Sequence, residues 1–102
     1  MYRASDRVEQ EEWLSEIETV ADRLGLGTRA RSHAVDLFLS TLPEQERSKR
    51  AAMAASIYVG ALVAGQERSQ TTVADATGVS RLTIQQRWKD LLERAGLDAP
   101  SW

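Results

Sequence analysis

The stretch Gln70-Thr71-Thr72-Val73-Ala74-Asp75-Ala76-Thr77-Gly78-Val79-Ser80-Arg81-Leu82-Thr83-Ile84-Gln85-Gln86-Arg87-Trp88-Lys89-Asp90-Leu91-Leu92 decides the fold. Two short helical patterns flank Gly78. A small residue at Ala74 lets two helices cross closely, and glycine at 78 permits positive φ in a tight turn. Val79 and Ile84 close a small core between them. Ala74, Gly78 and Ile84 thus stand at relative positions 5, 9 and 15 of a helix-turn-helix spanning 70–95. Its first helix is placed at about 72–77. Ser80 caps the second, which runs to about Ala95 with Ile84, Trp88, Leu91, Leu92 and Ala95 as its core face. Gly96 then Leu97 fits a Schellman-type stop.

Upstream, three more helices are expected. Apolar Trp13, Leu14, Ile17, Val20, Ala21 and Leu24 follow helical 3/4 spacing, so the first helix runs from about Asp6 to Leu24. Its acids Glu9, Glu11, Glu12 and Glu16 suit the positive end of the helix dipole, and Gly25 and Gly27 break it. Thr28 is placed as N-cap of a second helix through Leu42, with Ala34, Val35, Phe38, Leu39 and Leu42 buried and Pro43 as the stop. Ser48 is placed as cap of a third helix to Ala64, ended by Gly65. That helix is apolar nearly all round and belongs at the centre. Its small residues, Ala51, Ala52, Ala54, Ala55, Gly60 and Ala61, let neighbouring backbones approach. The expected domain spans 6–97, with 98–102 as a short tail ending in Trp102. The fold class is all-α.

Composition narrows the function. A chain of 102 residues, 42% hydrophobic and 27% charged, has room for one globular core. The longest apolar stretch, Ala51–Ala64, is 14 residues and too short to span a bilayer. The start, Met1-Tyr2-Arg3-Ala4-Ser5-Asp6, has no signal-peptide pattern, and an intracellular, nucleoid-associated protein is expected. With no cysteine and one histidine, neither disulfides nor a structural zinc site are expected, and no cofactor is implied. The formal charge of −2 hides an asymmetry. Residues 1–46 hold ten acids and five bases, a net of −5, and residues 47–102 hold five acids and eight bases, a net of +3. Such polarity is one sign of an anionic partner.

A helix-turn-helix offers the polar face of its second helix to the DNA major groove. Here that face is Arg81, Thr83, Gln85, Gln86 and Lys89, with Arg87 at its edge. Arginine and lysine suit phosphates, glutamine pairs bidentately with adenine, and threonine hydrogen-bonds or touches a thymine methyl. The same spacing also occurs in packing corners that never touch DNA.

Three blocks together resemble a known family: Ala51-Ala52-Met53-Ala54-Ala55-Ser56-Ile57-Tyr58, Arg68 to Ser80, and Leu82 to Leu91, with Asp22-Arg23-Leu24-Gly25-Leu26 upstream. They resemble a cyclin-like repeat of the transcription initiation factor IIB family, above all the second repeat of its archaeal members. The likeness covers about residues 10–98. It implies a five-helix cyclin fold whose helix-turn-helix reads a promoter element beside the TATA box, in complex with TATA-binding protein. It also covers one repeat of the usual two and no zinc ribbon, so the chain is not expected to replace a complete initiation factor. Where the family has Val-Thr-Ile-Arg, this chain has Leu82-Thr83-Ile84-Gln85. Loss of arginine at 85 removes the best partner for guanine and offers one for adenine. The candidate DNA-binding set is therefore Arg81, Leu82, Thr83, Gln85, Gln86, Arg87 and Lys89.

A glycine-rich turn of the family becomes Glu46-Arg47-Ser48-Lys49-Arg50, whose bases could contact phosphates or form a solvated helix start. The rival function is an interaction module that binds TATA-binding protein or another transcription protein without base readout, its acidic half facing a basic partner. A lone helix-turn-helix gains affinity as a homodimer on two half-sites, and an exposed first-helix stripe could be the seam. His33, Asp36 and Ser40 are strung along one helix, whereas a catalytic triad converges in a pocket, so no enzyme is expected. The first-helix glutamates lack the EF-hand pattern. Trp13 and Trp88 are expected in the core.

Overall fold

An unbroken run of buried residues, 52–61, marks the centre of the molecule. It belongs to α3 of five helices: α1 (Glu11–Leu24), α2 (Thr28–Ser40), α3 (Glu46–Val63), α4 (Gln70–Thr77) and α5 (Arg81–Arg94). This computed structural model describes residues 10–41 and 46–94, and no strand occurs among them. α3 packs against all four other helices, and α5 packs on α3 and α4. The architecture is all-α, as the periodicity indicates. Leu42, Pro43, the stretch before Gln10, Ala95, the Gly96-Leu97 stop and the tail with Trp102 lie outside the described residues.

Small residues set how closely the layers approach. A Cβ on Gly60 would stand 2.8 Å from the backbone nitrogen of Ala34 and 2.9 Å from the carbonyl oxygen of Ala30. Thus α3 and α2 meet backbone to backbone at this point. Phe38 and Met53 are fully buried around this seam, and Trp13 leans on Phe38 with ring centroids 6.3 Å apart. Trp88 is 4% exposed and meets Tyr58 edge-on at 5.6 Å, a favoured aromatic geometry. Trp13 itself is only half-buried.

Several helix starts differ from the sequence reading. Gly27, extended at φ −80° and ψ 176°, is the N-cap of α2, and Thr28 is already helical. The Gly27 N–H donates to Gln66 Oε1 at 2.9 Å, which fixes the cap residue to the loop after α3, and no side chain caps α2 itself. Ser48 lies inside α3, which starts at Glu46. α4 starts at Gln70 because Ser69 caps it, accepting from the Thr72 N–H at 3.0 Å. The α1 stripe faces inward. Ile17, Val20, Ala21 and Leu24 are buried, the exposed positions of α1 are all polar, and its accessible apolar surface is confined to half-buried Trp13 and Leu14.

Arginines tie the layers together through carbonyls at helix ends, where the dipole favours a cation. Arg68 Nε donates to Leu24 O at 3.0 Å, closing the end of α1. Arg23 reaches Ala76 O at 3.3 Å, and Arg50 reaches Thr77 O at 3.0 Å. Arg50 also lies 5.5 Å from the Trp13 ring centroid and 3.7 Å from Glu16. It is therefore a strut between α1, α3 and α4 rather than part of a solvated helix start.

Gly78 makes the turn into α5 at φ +77°, and nothing lies within 4 Å of a Cβ built there. Gly78→Ala therefore meets no neighbour and costs only the strain of a left-handed alanine, about 1–2 kcal/mol. Thermal unfolding should show a drop of roughly 4–16 °C for a domain this size. Gly78→Asn, which tolerates that region better, should lose less. Equal melting of all three proteins would contradict the strained turn.

Candidate nucleic-acid interface

α5 begins on a capped end. Ser80 Oγ accepts from the Thr83 N–H at 3.2 Å and pairs with Thr83 Oγ1 at 2.8 Å. Ser69 and Thr72 repeat the device at the start of α4, at 3.0 and 2.8 Å. Between the helices, the buried Thr77 hydroxyl donates to Val73 O at 2.8 Å and accepts from the Val79 N–H at 3.3 Å. The turn is therefore pinned from both sides, and Ile84, Trp88, Leu91 and Leu92 lock α5 into the core.

The opposite surface holds the candidate residues. Arg81, Leu82, Gln85, Gln86, Arg87 and Lys89 are all exposed, and Thr83 is half-buried. Leu82, 58% exposed, is the only large hydrophobic residue so placed among the described residues. At about 100° per residue, Leu82, Gln86, Asp90 and Glu93 lie farthest from the core, with Lys89 beside them toward Gln85. Arg81 and Gln85 occupy one flank, Thr83 and Arg87 the other. The structure thus gathers Arg81, Leu82, Gln85, Gln86 and Lys89 on one side and leaves Arg87 well round the helix from Gln85. Thr83's hydroxyl is engaged in the cap.

Two contacts order this surface. Arg81 Nη1 donates to Gln85 Oε1 at 3.3 Å, orienting the carboxamide. An amide oxygen has two lone pairs, so Oε1 can accept once more while Nε2 still donates. Lys89 Nζ stands 5.6 Å from the Trp88 ring centroid, a cation–π distance.

Electrostatics are milder than the half-chain sum implies. Arg50 and Arg68, two of the eight bases of residues 47–102, bond to carbonyls at the ends of neighbouring helices. Residues 70–94 carry four bases and three acids. Sequence reading missed this because a side chain capping a helix 44 residues away leaves no periodic trace. His33, Asp36 and Ser40 remain strung along α2. No group of three or more His, Asp or Glu able to hold a metal occurs among the described residues, and no helix there is long and apolar enough to cross a membrane.

The sequence profile described as "Transcription factor TFIIB repeat" matches residues 7–94. The chain belongs to this repeat family. Transcription initiation factor IIB of Pyrococcus abyssi is 29% identical over 87 residues, covering 82% of this chain and 29% of that protein. The factor of the same name from Archaeoglobus fulgidus is 32% identical over 79 residues, covering 74% of this chain and 24% of its own. Transcription initiation factor IIB 1 of Thermoplasma volcanium is 42% identical over 45 residues, 44% of this chain and 14% of that protein. The chain spans less than a third of the length of these archaeal relatives. As a TFIIB repeat it is a cyclin-like, all-α unit, in which α4 and α5 form the helix-turn-helix.

Proposed function

We propose that this TFIIB repeat is a transcription regulator that reads duplex DNA with α5. The observation supporting this most is the exposed side of α5, where Arg81, Leu82, Gln85, Gln86 and Lys89 stand together behind a capped, rigid turn. Gln85, Gln86 and Leu82 supply base-edge hydrogen bonds and a methyl contact, and Arg81, Arg87 and Lys89 supply phosphate contacts. The oriented Gln85 amide favours adenine. Binding to TATA-binding protein, and location on the nucleoid, follow from this reading as proposals.

The test is selection of bound sequences from random duplexes, followed by titration over a salt series. Log affinity should fall linearly with log salt as counterions are displaced. Gln85→Ala should relax the preference at one base pair, a loss of about 1–3 kcal/mol of discrimination. Arg87→Ala should weaken all sequences alike and lower the salt slope by about 1. Helicity should stay intact in both. Absence of any duplex binding at low salt would sink the proposal. Capture of TATA-binding protein with no duplex binding at any salt would instead favour a module without base readout.

A further inference from the structure

A cleft away from α5 lies between α1 and α2. Its volume is about 570 Å³, room for two or three large side chains. Half-buried Leu14 and Val35 line it with buried Leu26 at one end. Glu18 stands on the α1 wall and Asp36 on the α2 wall, with Asp22 one turn beyond Glu18. Among the described residues, Arg31 is the one cation lining the cleft. It is held by Asp22 at 2.7 Å, Glu18 at 3.6 Å and Leu26 O at 2.9 Å. Two carboxylates, Glu18 and Asp36, line the cleft, and Glu18 shares the one guanidinium, Arg31, with Asp22 just outside it.

We infer that this cleft docks a basic amphipathic helix of a partner protein. The chemistry follows from its parts. Two aliphatic side chains one turn apart would cover Leu14 and Val35, which are apolar and only half shielded from water. Lysine or arginine beside them would meet the negative charge left where Glu18 and Asp22 share the one guanidinium of Arg31, and such complementarity selects partner and register. Along α2 the cleft runs from Gly27 to Asp36, nine residues or about 13 Å, which matches two to three turns of a docked helix. The acidic walls repel nucleic-acid phosphates. α5 reaches the bundle through α3 and α4, so a helix in the cleft leaves the proposed DNA surface clear. The inference is independent of base reading and is tested without DNA.

The probe is a fluorescent helical peptide of leucine and lysine, with leucines along one face, titrated into the full chain with methyl signals assigned. Leu14, Leu26 and Val35 methyls should shift on binding. Ser32→Trp, which fills the cleft from a serine on its α2 wall without changing charge, should weaken binding at least tenfold. Asp36→Lys should do the same, and both variants should keep the parent's helicity. A leucine–glutamate peptide should not bind. The inference is overturned if shifts scatter over the acidic surface, if Ser32→Trp binds like the parent, or if the acidic peptide binds better. Concentration-dependent shifts at Leu14 and Val35 without peptide would overturn it in favour of a second copy of the chain.

Discussion

A chain carrying Gly60→Val is expected to melt roughly 10–20 °C below the parent, from overpacking of about 2–3 kcal/mol in a domain of this size. The first atom of the new side chain would lie 2.8 Å from Ala34 N, 2.9 Å from Ala30 O and 3.1 Å from Ala34 Cα. All three are backbone, so no rotamer change relieves the contact, and α2 must shift away from α3. That shift would loosen Phe38 and Met53, which are fully buried. Gly60→Ala tests the argument more sharply. Alanine is favoured over glycine in a helix by about 1 kcal/mol, so propensity alone predicts stabilisation. The close approach predicts net loss. Thermal unfolding of Gly60→Ala above the parent would refute the backbone-to-backbone contact.

The same residue shows what sequence can convey. A stripe of small residues on an otherwise apolar helix announces close packing, and Gly60 with Ala54, Ala55 and Ala61 reads that way from the residue pattern alone. The helix-turn-helix is equally legible. Ala74, Gly78 and Ile84 each answer a local geometric demand, and the turn at Gly78 has the positive φ its spacing requires. Helix starts are less legible, since any serine or threonine ahead of an apolar run can cap. Only the backbone path decides: it makes Gly27 rather than Thr28 the cap of α2, puts Ser48 inside α3, and starts α4 at Gln70 behind Ser69. Long-range arginine contacts are not legible at all. Arg50 reads as a surface base by composition, yet it bonds to Thr77 O across 27 residues. The candidate surface falls between these cases. Helical periodicity assigns the exposed side of α5, but the Arg81–Gln85 bond depends on rotamers that no pattern encodes.

That bond sets the terms for Gln85→Arg, the change expected to alter DNA choice most. In the parent, Gln85 Oε1 accepts from Arg81 and keeps a second lone pair, and Nε2 remains a donor, a pair suited to the N6 and N7 edge of adenine. An arginine at this position carries donors only and would bind the O6 and N7 acceptors of guanine. Losing one bidentate pair and gaining another should swing the preference at that base pair by about 2–6 kcal/mol, taking 1–3 for each. One cost offsets the gain. Arg81 and the introduced guanidinium would be like charges one turn apart, a repulsion of about 0.2–0.5 kcal/mol that DNA phosphates would screen. The extra cation should also steepen the salt dependence by about 1 if it reaches a phosphate, and leave it unchanged if it engages only the base. Selection from a random duplex pool, run with both proteins, separates these outcomes. An adenine-for-guanine exchange at a single position places Gln85 against that base. Identical selected sites from both proteins would remove Gln85 from the reading surface while leaving α5 free to bind DNA through its other residues.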